Sequence, residues 1–131
     1  MYLLDTNICI ALLKNNRQAV NKFNRYFSQC YLSIIIVAEL YKGVYCSQQL
    51  VKNLENLAEF IAILPIEAFD LDAAIEFGKI QSELRKLGKP TGELDALIAA
   101  VARSRGDILV TNNIKDFINI KNLLLENWLE N

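Results

Sequence analysis

Apolar residues fall along this chain in two alternating patterns: short continuous runs, and longer stretches in which they return every three or four positions. Tyr2-Leu3-Leu4 is of the first kind and stops at Asp5, Thr6 and Asn7. Continuous apolar runs suit strands buried on both faces of a parallel sheet. Asn7 to Leu13 and Gln18 to Phe27 follow as two short helices broken at Asn15-Asn16, the second with Val20, Phe23 and Phe27 on one stripe. Tyr31 to Ile35, apolar and rich in β-branched residues, is the second expected strand. The period then changes, with Val37, Leu40, Tyr41 and Val44 at i, i+3, i+4 and i+7, so this strand feeds a helix.

Leu50, Leu54, Leu57, Ala58 and Ile61 mark another amphipathic helix, and Ala62 to Ile66, with Pro65, a short strand or sheet edge. A long helix is expected from Asp70 as N-cap to Leu87, with Leu71, Ala74, Ile75, Gly78 and Leu84 inward and Gly88 and Pro90 as stop signals. The loop from Gly88 to Gly92 is the clearest break in the chain. Glu93 to Ser104 reads as a helix with Leu94, Leu97, Ile98 and Val101 on one face and Ala96, Ala99, Ala100 and Ala102 around the rest. Ile108-Leu109-Val110 is a further buried run, and it ends as the first did, in Thr111-Asn112-Asn113 ahead of Asp116. Leu123 to Leu125 is the last expected strand, with Trp128 covering the sheet edge. Strands alternating with helices predict one α/β domain over residues 1–131, its central, mostly parallel sheet flanked by helices on both faces.

Composition narrows the chemistry. The 131 residues are 53 % hydrophobic and 22 % charged, enough apolar surface for one core and too much for disorder. No apolar run approaches the ~20 residues of a membrane span, and the N-terminus carries no export signal, so the expected address is the cytoplasm. Cys9, Cys30 and Cys46 have no CxxC spacing and read as small core residues of a reducing compartment. The chain has no histidine, which removes Ser-His-Asp and Cys-His catalysis and His-ligated metals together. The net charge of −1 excludes nucleic-acid binding by bulk charge alone. Charge is unevenly spread, however: Lys14, Arg17, Lys22 and Arg25 lie between Asp5 and Glu39 with no acid among them, while Glu55 to Glu76 is acidic. That basic flank either meets phosphate or is an ordinary solvated helix face.

Four acids remain for the chemistry. Asp5 closes the first strand, Glu39 stands one residue off the apolar stripe early in the next helix, Asp95 is in the first turn of its helix, and Asp116 follows the Ile108 strand. In open α/β sheets the carboxyl ends of the strands face the ligand crevice, so these positions converge. Each acid has a plainer role available, Asp5 as a helix cap and Asp95 as a partner of the helix dipole. Two bare carboxylates about 4 Å apart repel by roughly 4 kcal/mol at an effective dielectric of 20, so four together call for protonation or a cation. Oxygen ligands without histidine or thiolate favour Mg²⁺ or Mn²⁺, and such a site commonly cleaves phosphodiesters.

The sequence resembles the PIN-domain nucleases and, among them, the VapC-type toxins of toxin–antitoxin pairs. The resemblance rests on Leu-Asp-Thr-Asn-Ile-Cys-Ile (4–10), Ala-Glu-Leu-Tyr-Lys-Gly-Val (38–44), Gly-Lys-Pro-Thr-Gly-Glu-Leu-Asp-Ala-Leu-Ile-Ala-Ala (88–100), Val-Thr-Asn-Asn-Ile-Lys-Asp-Phe (110–117) and Glu-Asn-Trp (126–128). It implies Asp5, Glu39, Asp95 and Asp116 as the catalytic acids, with Asp5, Asp95 and Asp116 on Mg²⁺ or Mn²⁺ and Asn7 and Thr111 as polar helpers. It further implies an RNA substrate, a VapB-type antitoxin as partner and a homodimer. The tail and the Thr-Asn-Asn motif are similar to those of toxins that cut initiator tRNA. Ile34 and Ile36 stand where family members often carry Ser or Thr, so the helix bearing Glu39 is expected to lack its usual cap. Glu93 is an extra acid two residues before Asp95. Helical neighbours two apart point roughly 200° from one another, so Asp95 is assigned the metal and Glu93 the dipole. The alternatives are an RNA-processing PIN nuclease outside any toxin pair and a catalytically silent interaction domain whose acids are caps.

Overall fold

A computed structural model describes residues 1–130. Five short strands, β1 (Tyr2–Leu4), β2 (Cys30–Ser33), β3 (Ile66–Glu67), β4 (Ile108–Val110) and β5 (Leu124–Glu126), form one sheet in the order β3-β2-β1-β4-β5. Every pairing is parallel, with Tyr2 opposite both Cys30 and Ile108, and Ile108 opposite Leu124. Around it lie α1 (Thr6–Leu13), α2 (Arg17–Tyr26), α3 (Ile34–Tyr45), α4 (Leu50–Ala62), α5 (Leu71–Leu87), α6 (Glu93–Arg105) and the single turn α7 (Ile114–Phe117). The chain moves outward from β1 to β3, then crosses back to place β4 on the other side of β1. The connections therefore leave β1 and β4 in opposite directions, and a crevice opens at the carboxyl ends of these two strands.

The core explains the strand runs: Leu3, Leu4, Tyr31, Leu32, Leu109 and Val110 are all essentially inaccessible. α1 packs on α2, α3 and α4, while α5 and α6 pair closely with one another. Ala96, Ala99, Ala100 and Ala102 are fully buried and Leu94 is exposed, so α6 is packed along its small residues as well as Ile98 and Val101. Small side chains let neighbouring elements approach the helix axis, which puts Asp95 close to the strand ends.

Several expectations are corrected. The second strand ends at Ser33, and Ile34 and Ile35 are already helical. α3 does have its cap, because Ser33 Oγ accepts from the Ile36 N–H at 3.2 Å. The missing hydroxyls at Ile34 and Ile36 are irrelevant, since the capping group sits one residue earlier. α2 ends at Tyr26, with Phe27–Gln29 as a 3-10 turn, and the strand expected over Ala62 to Ile66 is Ile66–Glu67, overlapping it at Ile66 alone. Cys46 is exposed in the loop after α3 rather than in the core.

The inner face of α5 is turned from its expected position. Leu71 and Ile75 are solvent-exposed, and the buried line is Ala73, Ile80 and Leu84. Glu76 and Glu83 lie on this same line, both bound to Arg103 of α6 at 2.9 and 2.8 Å. Two buried-side glutamates masked the apolar stripe, and only their arginine makes that face inward. Trp128 is buried beyond the sheet edge, stacked on Tyr26 with ring centres 6.2 Å apart and near Tyr2, its Nε1 donating to Glu126 Oε1 at 2.8 Å. Asp70 and Gly88 cap α5 as expected, Gly88 in the left-handed conformation at φ 64°.

Removing the Ser33 hydroxyl should isolate the contribution of the α3 cap. Ser33→Ala is expected to lower stability by about 1 kcal/mol, read as a lower urea midpoint at unchanged slope. An unchanged midpoint would show that the cap adds nothing to the fold.

Candidate active site

Asp5 follows β1 directly and is the N-cap residue of α1, with Oδ1 accepting from the Thr6 N–H at 2.8 Å. It is buried, at 5 % exposure. Its other oxygen does something a cap does not need. Oδ2 accepts from Thr111 Oγ1 at 2.7 Å and from Asn7 Nδ2 at 3.2 Å. Thr111 follows β4 as Asp5 follows β1, so the two recurring strand–Thr–Asn motifs meet across the switch between those strands.

Backbone groups set the direction of these bonds. The Asn113 N–H donates to Thr111 Oγ1 at 3.0 Å, which turns the hydroxyl proton toward Asp5. The Asn112 N–H donates to Asn7 Oδ1 at 2.9 Å, which fixes the amide with its NH₂ on the Asp5 side. Three donors thus face one buried carboxylate. Burial raises the Asp5 pKa above its ordinary value of 3.8; the bonds from Thr111, Thr6 and Asn7 oppose that rise, and the charge of Asp116 adds to it.

Glu39 is half-buried on α3 and accepts from Thr6 Oγ1 at 2.9 Å. Thr6 thereby joins two of the acids, its N–H on Asp5 and its hydroxyl on Glu39. Asp95 is the third residue of α6, and burial, then the charges of Asp5, Asp116 and Glu39, raise its pKa. Asp95 thus lies within electrostatic reach of Asp5, Asp116 and Glu39. Asp116, on α7, is exposed, and its carbonyl accepts from Thr91 Oγ1 at 3.0 Å, tying the loop before α6 to α7. Glu93 is exposed as the first residue of α6. It is inside the helix, so the angular separation from Asp95 applies, and it is absent from the charges acting on Asp95.

The four basic residues are spread more widely. Among the described residues none of Lys14, Arg17, Lys22 and Arg25 forms an ion pair. Of the four, Lys14 alone lines the cleft of about 390 Å³ that Thr6, Glu39, Leu40 and Leu57 also border. Lys22 and Arg25 border a shallow depression beside Trp128. Sequence reasoning passed over Thr6, Thr91, Asn112 and Asn127. Thr6 could have been found, as the residue between Asp5 and Asn7 at a strand end. Nothing in the local sequence pairs Thr91 with α7.

A divalent ion is implied here, and the donor chemistry fits one: carboxylate oxygens only, mutually repelling, with no histidine or thiolate. Among the described residues no three such side chains are closed to the geometry of a metal site. Carboxylates with uncompensated charge favour such separation.

The model of the PIN domain matches residues 2–123. The chain belongs to the PIN domain family. It is 38 % identical over 128 residues to the tRNA(fMet)-specific endonuclease VapC of Shigella flexneri, covering 97 % of each chain. Ribonuclease VapC2 of Haemophilus influenzae is 40 % identical over 129 residues, with 98 % of each covered. The same fold recurs in the DNA-bound VapBC of Salmonella typhimurium, at a TM-score of 0.92 with 38 % identity and 97 % of both chains aligned.

Asp5 and Asp95 should respond differently to loss of charge. Among the described residues no side-chain donor binds Asp95, whereas Asp5 receives two side-chain donors and one backbone N–H. A carboxyl whose folded-state pKa is raised favours the fold fully below its ordinary value of 3.8, and that contribution is lost as pH rises through the raised value. Asp95→Asn is therefore expected to stabilise the metal-free protein at neutral pH, with the gain disappearing toward pH 4. Asp5→Asn should be destabilising by about 1 to 3 kcal/mol, because an NH₂ would face donors. Urea titrations at a series of pH values check both, and a pH-independent Asp95 effect would refute the electrostatic account.

Proposed function

We propose that this protein is a Mg²⁺- or Mn²⁺-dependent endoribonuclease toxin acting in the cytoplasm. The observation that supports this most directly is the node at the β1–β4 switch, where Asp5 is held by Thr111 and Asn7 and shares its surroundings with Asp95, Glu39 and Asp116. Asp5, Asp95 and Asp116 would hold the ion and Glu39 completes the catalytic acids. When bound, the ion supplies water activation and neutralisation of phosphate charge. Asn7 and Thr111 oppose the rise that burial imposes on the Asp5 pKa and fix the orientation of its carboxylate. Thr6 fixes Glu39, and Lys14, Arg17, Lys22 and Arg25, which form no ion pair among the described residues, offer the RNA backbone a cationic flank on a chain of net charge −1.

The substrate class follows from the relatives named as ribonucleases, and the Shigella flexneri protein, named for tRNA(fMet), makes an initiator tRNA the first RNA to try. A VapB-type antitoxin is the proposed partner, by likeness to the solved VapBC assembly. The cleft beside Glu39, with Leu40, Val44 and Leu57 in its wall, offers that partner an apolar seat bordering the acids. A homodimer belongs to the same proposal.

The deciding experiment is RNA cleavage by the purified protein with Mg²⁺, Mn²⁺ or EDTA, followed by sequencing of the cut ends. Cleavage is expected only with the ions. Asp95→Asn should lower the rate by at least ~100-fold, while Glu93→Gln should change stability by ~1 kcal/mol or less and leave the rate near wild type. Equal losses in the two variants would assign Glu93 to the metal as well. Metal binding without any cleavage of RNA would favour a silent interaction domain.

A further inference from the structure

The Asn127 of the Glu-Asn-Trp tail has no part in the acidic node, yet it is linked to it through one amide. The Leu129 N–H donates to Asn127 Oδ1 at 2.9 Å, and a backbone N–H can only donate, so the sense of this amide is set. Asn127 Nδ2 then donates to Asn112 Oδ1 at 3.3 Å, which sets the second amide in turn. Asn112 is exposed, and among the described residues its NH₂ group has no protein partner. The residue sits between Thr111, whose hydroxyl binds Asp5, and Asn113, and its own N–H holds Asn7. A neutral donor of fixed direction is thus presented at the rim of four carboxylates.

We infer that the Asn112 amide, locked by Asn127, donates to a non-bridging phosphate oxygen of the RNA strand next to the scissile bond. This rests on the nuclease reading above. An RNA phosphate that flanks the reacting one lies in the negative field of the acids, and none of the four unpaired cations stands in the hydrogen-bonded network of the node. A neutral NH₂ meets the phosphate without adding a charge that would compete for the carboxylates. The alternative acceptor is a base edge, which asparagine reads with its oxygen and nitrogen together. Here the oxygen is engaged by Asn127, so a single-donor contact to phosphate is favoured. The consequence is a contact that positions the strand irrespective of sequence.

The test is kcat/KM in Mn²⁺ on short RNAs that differ only in the bases flanking the cut. Asn112→Ala is expected to lower kcat/KM about tenfold, the scale of a hydrogen bond to a charged group, equally on every RNA. Asn112→Ser, which keeps a donor, should restore part of the loss. Asn127→Asp can only accept from Asn112, so it reverses that amide and should also cost about tenfold, while the double variant Asn112→Ala with Asn127→Asp should be no worse than Asn112→Ala alone. Additive losses would mean that the new charge acts by itself, and would overturn the inference. So would an unchanged Asn112→Ala, or a loss confined to one flanking base. Retention of the Mn²⁺-induced thermal shift in each variant shows that the acidic site is intact, and loss of that shift in Asn112→Ala would overturn the inference by making the residue structural. A wild-type protein that binds Mn²⁺ but cleaves no RNA fails the nuclease reading and this inference with it, whereas cleavage unaffected by Asn112→Ala fails this inference alone.

Discussion

A single buried carboxylate governs the arrangement of the strand ends. Asp5 is nearly inaccessible, and an ionised acid in that position is tolerable only if donors replace the water it has lost. Three donors do so: Thr6 and Asn7 by their nearness in sequence, and Thr111 because the parallel pairing of β1 with β4 brings it to the same level. Were β4 to slip by one residue, Thr111 would leave Asp5 and the β4 side chains would exchange faces. The register of the sheet and the state of the acid are therefore one constraint.

Short polar ties join Glu39 to this point and link the elements on either side of the remaining acids. Thr6 carries the constraint to α3 through Glu39, and Thr91 carries it from the loop before α6 to α7. α6 itself approaches because its alanines are small. The resulting gradient of burial, from Asp5 inward to Asp116 at the surface, separates a rigid anchor from acids that have room to adjust around an ion. Firm support under one acid and greater exposure at the others would suit the proposed closing of these acids on a cation.

Much of this architecture was legible. Each of the apolar runs at Tyr2, Tyr31 and Ile108 became a strand because a segment buried on both faces leaves a continuous apolar record. The acids stood out as candidates because Asp5 closes a strand, Asp95 lies in the first turn of α6, and Glu39 and Asp116 lie on helices that follow strands. The α5 face was misread for the opposite reason: Glu76 and Glu83 look like surface residues until Arg103 is placed against them. The cap of α3 was misread because strand and helix share the apolar run from Tyr31 to Val37, and a change of period cannot locate a boundary to one residue.

By itself the sequence determined the side chains available: no histidine, scattered cysteines and a set of oxygen acids, from which the proposed hard-cation phosphodiester chemistry was argued. It also determined where helices and strands lie, since those depend on neighbours within a few positions. Only the tertiary structure decided which groups meet. Thr111 reaches Asp5 across 106 positions of sequence, and Asn127 reaches Asn112 because β5 lies beside β4. Such contacts follow from strand order and register, which are set by how the whole core packs and leave no mark in the residues that eventually touch.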